Sequence, residues 1–156
     1  MRARGFTLIE LVVTVAILGL LASAAMPLAR LSIQRSKEAD LRVALREIRD
    51  AIDAYRAAVA QGRITVELGA SGYPPNLQTL VDGVVDAKSP KKTMIYFLRR
   101  IPRDPFYPDG SAAAADTWGL RSYESPPDAP QPGDDVYDVY SLAPGKGING
   151  VPYRDW

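Results

Sequence analysis

The chain of 156 residues contains no cysteine and no histidine. That absence excludes disulfides, thiolate nucleophiles, Cys/His zinc sites and imidazole acid–base catalysis. Net charge is also nearly missing. The chain has 19 Lys+Arg against 18 Asp+Glu, a formal +1, which is no footprint for bulk nucleic-acid binding. Carboxylate chemistry, Ser/Lys chemistry, binding and structural roles stay open. The length suits about one domain. Hydrophobic residues make up 47%, an ordinary share that hides an uneven distribution.

Residues 6–29 form one nearly unbroken apolar segment, interrupted only by Thr7, Glu10, Thr14 and Ser23. No charge occurs in the 19 residues from Leu11 to Ala29. As a helix this stretch reaches roughly 28 Å, close to the hydrocarbon thickness of a bilayer. A short basic leader, Met1-Arg2-Ala3-Arg4-Gly5, precedes it. Three readings fit. One is a secretory signal peptide cleaved at Ala22-Ser23-Ala24. The second is a plain membrane anchor, and the third a leader that is cut just ahead of the apolar run. Glu10 separates them, because a carboxylate in a membrane helix costs several kcal/mol unless paired and marks a functional site. A cut after Gly5 would create a positive amine at Phe6. A neighbouring subunit shifted along the axis could set that amine against Glu10, neutralising two charges that are costly alone in lipid. Gly19 and Pro27 bracket a segment that either bends or locally melts, or is simply tolerated as membrane helices tolerate both residues.

The run Arg4-Gly5-Phe6-Thr7-Leu8-Ile9-Glu10-Leu11-Val12-Val13 resembles the prepilin signature of type IV pilins and type II secretion pseudopilins. The resemblance implies that a prepilin peptidase cleaves after Gly5 and methylates Phe6, and that Glu10 is the assembly glutamate. Gly19 and Pro27 would lie in the stretch thought to lose helicity on assembly. Loss of Arg2 and Arg4 with the leader leaves 17 basic against 18 acidic side chains.

Beyond Pro27 the apolar residues Leu41, Leu45, Ile48, Ile52, Tyr55 and Val59 recur at helical spacing. The opposite face carries Arg42, Arg46, Glu47, Arg49, Asp50, Asp53 and Arg56, with possible i, i+4 pairs Glu38–Arg42, Arg46–Asp50 and Arg49–Asp53. Gln61-Gly62 reads as the stop. Twelve of the 13 prolines lie from Pro74 onward, so the remainder is not mostly helix. Leu77, Leu80, Val81 and Val84 suggest one short helix, and the type of the run Met94 to Leu98 stays open. Leu120 to Glu124 and Val136 to Leu142 read as strands, and Ser125 to Gly133 as a loop. The tail from Pro144 is expected to be pinned by Tyr153 and Trp156. The fold class expected is α+β and pilin-like: a long N-terminal helix on a small antiparallel sheet with long loops. Its divisions are a leader (1–5), a transmembrane and filament-core helix (6–29), and a periplasmic domain (30–156) that includes the amphipathic second half of the helix (30–61).

Later runs resemble the major pseudopilin of the type II secretion system. They are Gly72-Tyr73-Pro74-Pro75, Ile101-Pro102-Arg103-Asp104-Pro105, Trp118-Gly119 with Tyr123, and Asp135 to Leu142. Residues 106–117 look like an insertion. The family's C-terminal loop commonly binds calcium, but here Asp155 is its only acid, beside Lys146 and Arg154. Of the diverged ligand positions Leu142, Gly145 and Asp155, the expected aspartate near Gly145 is missing. The loop is therefore expected to be held without calcium, by Lys146 donating to carbonyls or to Asp138, and no cofactor is expected. The lack of cysteine leans from pilin toward pseudopilin. By resemblance the partners are copies of the chain itself, the prepilin peptidase, minor pseudopilins, an inner-membrane assembly platform with its ATPase, and the membrane, but no nucleic acid. The expected location is the bacterial inner membrane, single-pass, with the C-terminal domain in the periplasm. A type IV pilin or minor pseudopilin is the alternative. A periplasmic enzyme or binding protein released at Ala24 is a further one, for which Asp134, Asp135 and Asp138 could form a carboxylate cluster, though on a strand flank they read as solvated charges or turn residues.

Overall fold

The computed structural model describes residues 6–156, and for 24–26 the backbone alone. The leader 1–5 therefore lies outside the described residues. Two compact units divide the chain, one extending to Ser36 and the other covering Lys37–Trp156.

Helix α1 covers Leu8–Ala60, continuous through Gly19 and Pro27. Its start is built by Thr7 and Glu10. The Thr7 Oγ1 accepts from the Glu10 N–H at 3.3 Å, and the Glu10 carboxylate accepts from the Thr7 N–H and hydroxyl at 3.5 and 3.4 Å. This reciprocal arrangement is a capping box, with a hydroxyl at the N-cap and a carboxylate three residues on. Thr14 and Ser23 donate their hydroxyls to the carbonyls of Leu11 and Leu20 at 2.9 and 2.8 Å. They thus meet their polar needs within the helix, as lipid requires. At the other end, the Arg63 N–H reaches Ala58 O and the Gly62 N–H reaches Val59 O, closing a Schellman motif around Gly62 at φ 68°. The stop expected at Gln61-Gly62 is where the helix ends.

The second unit packs around the apolar stripe of α1. Leu41, Leu45, Ile48, Ile52 and Tyr55 are buried, with Val59 half-buried at the margin. Opposite them lie Ile64, Leu77, Leu80, Leu98, Trp118, Val136, Val139, Ala143 and Tyr153. Burying a side chain of this size contributes about 1.5–3 kcal/mol, so this cluster supplies most of the unit's cohesion.

Helix α2 is short, Gln78–Asp82, and starts where the Asn76 carboxamide accepts from the Thr79 N–H at 2.9 Å. Val84, expected on this helix, instead lies beyond Gly83 in strand β1 (Val84–Val85), which pairs antiparallel with β2 (Met94–Ile95). Met94 is thereby settled as strand. A second ribbon joins β3 (Trp118–Arg121) to β4 (Asp138–Ser141), with Trp118 opposite Ser141 and Leu120 opposite Val139. The strand expected over Leu120 to Glu124 thus begins two residues earlier and stops at Arg121. From Ser122 the backbone turns to the loop, its N–H bonded to Gln131 O. The expected single sheet is two separate two-stranded ribbons, and the α+β, pilin-like layout holds.

Asp104 ties the approach segment to β4. Though only 1% exposed, its carboxylate accepts from the Ser141 hydroxyl at 2.5 Å and from the Phe106 N–H at 2.8 Å. Its own N–H donates to Thr117 Oγ1 at 3.2 Å. The stretch 106–117 is folded back by Arg103, which donates to the carbonyls of Asp109 and Ala112.

Candidate functional site

The first unit contains the helix surface expected to act in assembly. Phe6, Leu8, Ile9, Leu11, Val12, Val15, Leu18, Leu20 and Leu21 are all more than half exposed. This part of α1 is long and apolar enough to cross a membrane, and its most apolar window is 0% buried within the chain. A helix with apolar groups on every side has no solvent-facing stripe. It needs lipid or other helices around its full circumference.

Phe6 stands at the head of this surface, 78% exposed. Glu10 lies four residues on. Among the described residues no ion pair involves it, and its carboxylate turns to Thr7. Both contacts are at the long end of the hydrogen-bond range, so the carboxylate is held but not enclosed. Gly19 has open space where a side chain would stand, and Pro27 sits inside the unbroken helix. Proline lacks the N–H that would meet the carbonyl four residues back, so Ser23 O has lost its normal partner there. Gly5 lies outside the described residues. The capping role of Glu10 is legible in Thr7-Leu8-Ile9-Glu10, but the charge in an apolar run drew the reading toward assembly alone.

The C-terminal loop differs from expectation in what holds it. The side chain of Lys146 is exposed and makes no hydrogen bond among the described residues, and its backbone pairs with Pro152. Asp138 is taken by Arg49, whose Nε lies 2.7 Å from its carboxylate. Lys146 therefore does not clamp the loop. The i, i+4 expectation for Arg49–Asp53 fails for the same reason. Arg49 turns inward, where it also donates to Val139 O at 3.1 Å and Trp156 O at 2.8 Å. Glu38, expected on the helix surface, is 5% exposed and accepts from the Ile148 N–H and the Tyr153 hydroxyl. Its burial was hidden because a charged residue beside a cation at i, i+4 reads as solvated.

The donor set of this loop does not fit calcium. Calcium takes six to eight oxygens, several of them carboxylate. The Leu142 side chain points to solvent, Gly145 offers only its backbone, and Asp155 is exposed and lies 3.7 Å from Arg154. No group of three or more acidic side chains suited to a metal occurs among the described residues. Asp135 caps the Tyr123 N–H at 2.8 Å and Asp138 holds Arg49, so these two acids do structural work.

Elsewhere, Arg63 donates twice to Asp86, at 3.0 and 2.6 Å, and holds its carboxyl below the usual 3.8. Burial raises the Tyr55 phenol above its ordinary value. Tyr73, Tyr123 and Tyr137 form an aromatic cluster with centroids 5.0–5.7 Å apart, flanked by Arg56 and Arg121.

Residues 1–26 match the family model of the prokaryotic N-terminal methylation motif. This motif is typical of type IV pilins and pseudopilins. No curated protein and no solved structure matches the chain.

Proposed function

We propose that the chain is a structural subunit of a periplasmic pseudopilus that drives type II protein secretion. The observation that carries the proposal is the coincidence of the methylation motif with a helix that is apolar on all sides and unburied within its own chain. Such a surface is satisfied by lipid before assembly and by neighbouring copies after it.

In this reading residues 1–5 are the leader, removed by prepilin peptidase after Gly5, and Phe6 becomes the methylated terminus. Residues 6–29 anchor the precursor in the inner membrane and then pack in the filament core, while 30–156 face the periplasm. Cleavage gives Phe6 a cationic amine. The Glu10 carboxylate of an axially shifted neighbour neutralises it, and in apolar surroundings that pairing fixes register. The carboxylate's long contacts to Thr7 are easily exchanged for a charged partner. Gly19 and Pro27 mark where α1 would adjust on packing. The assembly platform, its ATPase and minor pseudopilins act on the chain as partners, and its role is non-enzymatic.

Glu10→Ala tests this. Cleavage and membrane insertion should persist, and sedimentable filament and secretion should fall at least tenfold. Normal filaments from this variant would refute the registry role. The motif is shared by type IV pilins, which are the second reading. Secretion lost on deletion of the gene, with surface pili intact, separates the pseudopilus from them.

A further inference from the structure

The C-terminal loop is ordered although it has almost no regular structure. Within it, Gly147 N–H bonds Val151 O at 2.9 Å, Gly150 N–H bonds Gly147 O at 2.8 Å, and Tyr153 N–H bonds Gly145 O at 3.3 Å. The Trp156 indole N–H closes on Val151 O at 3.2 Å. A Cβ on Gly147 would collide with the Trp156 ring, so the loop is wound tightly on its own last residue.

Three side chains of α1 hold this loop from outside. One oxygen of Glu38 accepts from the Ile148 N–H at 2.8 Å and the Tyr153 hydroxyl at 3.1 Å. One turn on, the Arg42 guanidinium lies 4.3 Å from the centroid of a Trp156 ring. Two turns further, Arg49 donates to Trp156 O at 2.8 Å. Tyr153 is stacked at 4.3 Å on Phe106, which carries Lys37 on its ring at 5.6 Å.

We propose that Glu38, supported by Arg42 and Arg49, is the organising centre of the C-terminal loop and performs there the work that a bound cation would otherwise do. The polarity of the site is the reason. A cation gathers oxygen acceptors, carbonyl and carboxylate, toward one point. Here an N–H and an O–H donor converge on a carboxylate, and the cations nearby are Lys146 and Arg154, the latter 3.7 Å from Asp155. A divalent cation at this loop would meet donors and like charge. An anionic side chain meets complementary groups, in a buried setting where such hydrogen bonds are strong. The loop therefore closes without a divalent cation.

The test uses the full chain in detergent micelles, comparing EDTA with millimolar calcium chloride. Amide hydrogen exchange at residues 147–151 and the melting temperature are read together. The wild type should give the same melting temperature within about 1 °C and the same protection of the Ile148 amide in both conditions. Glu38→Ala should speed Ile148 exchange at least a hundredfold and lower the melting temperature by about 8 °C or more, with no recovery in calcium. If that variant does not fold, Glu38→Gln and Tyr153→Phe take its place, each with a smaller acceleration at Ile148. A rise of several degrees in calcium for the wild type overturns the proposal. So does wild-type protection of Ile148 in Glu38→Ala, or in both milder variants.

Discussion

One helix, α1, carries two kinds of surface. From Leu8 to Leu21 its large apolar residues are exposed on all sides, and from Leu41 to Tyr55 the same residue types are buried along a single stripe. The backbone is the same in both stretches, so the distribution of polar residues makes the difference. In the second stretch Arg42, Arg46, Glu47 and Asp50 supply a wet face, and the apolar stripe can close on its own chain. In the first there is no wet face, and no single chain can cover the circumference. The comparison assigns folding to the later stretch and leaves the earlier one uncovered by its own chain, the surface to which the proposed function gives association.

That division can be broken or sharpened by substitution. The largest effect on stability is expected from Ile48→Ala. Ile48 is fully buried at the centre of the stripe, and its truncation should cost about 2–5 kcal/mol in denaturant unfolding. Next is Asp104→Ala, which strands the Ser141 hydroxyl and the Phe106 N–H. A loss of about 2–3 kcal/mol is expected by the same measurement. Arg49→Ala removes bonds to Asp138, Val139 and Trp156. Because Arg49 is about a third exposed, the loss should be nearer 1–2 kcal/mol.

A smaller effect belongs to acid pH. Arg63 holds the Asp86 carboxyl below 3.8, chiefly through its hydrogen bonds. The folded value lies below the unfolded one, so the contribution is full above 3.8 and is lost as pH falls through the folded value. Melting curves of the wild type and Arg63→Ala should therefore draw together as pH drops below 3.8. The smallest stability effect is expected from Leu18→Ala. Leu18 is 63% exposed in the isolated chain, so unfolding of the second unit should shift by less than about 0.5 kcal/mol. Filament yield should still fall. Equal stability losses for Leu18→Ala and Ile48→Ala would erase the division.

Much of this was legible beforehand because periodicity reports burial directly. Leu41, Leu45, Ile48, Ile52 and Tyr55 are spaced for one face and lie in one core. The membrane-length run, the stop at Gly62 and the pinning of the tail by Tyr153 and Trp156 were readable on the same grounds. The ribbons were less legible. Strands of two to four residues are positioned by their partners, as Trp118 is by Ser141 and Gly119 by Tyr140, and local propensity is silent there. Val84 fits a helical period, yet Gly83 ends α2 before it. Glu38 and Arg49 were misplaced because their partners, Ile148 and Trp156, lie about a hundred residues away in sequence. For the candidate site, type and spacing single out Phe6, Glu10, Gly19 and Pro27 as the proposed assembly residues, and the structure adds the capping contacts of Glu10.

The assignment of the first stretch to association rests on how the precursor is processed. Mass spectrometry of the N-terminal peptide of the mature protein tests this most directly. The account predicts a chain that begins at Phe6 with one methyl group on its amine. A terminus near Ala25, or an intact Met1 in assembled material, would contradict it.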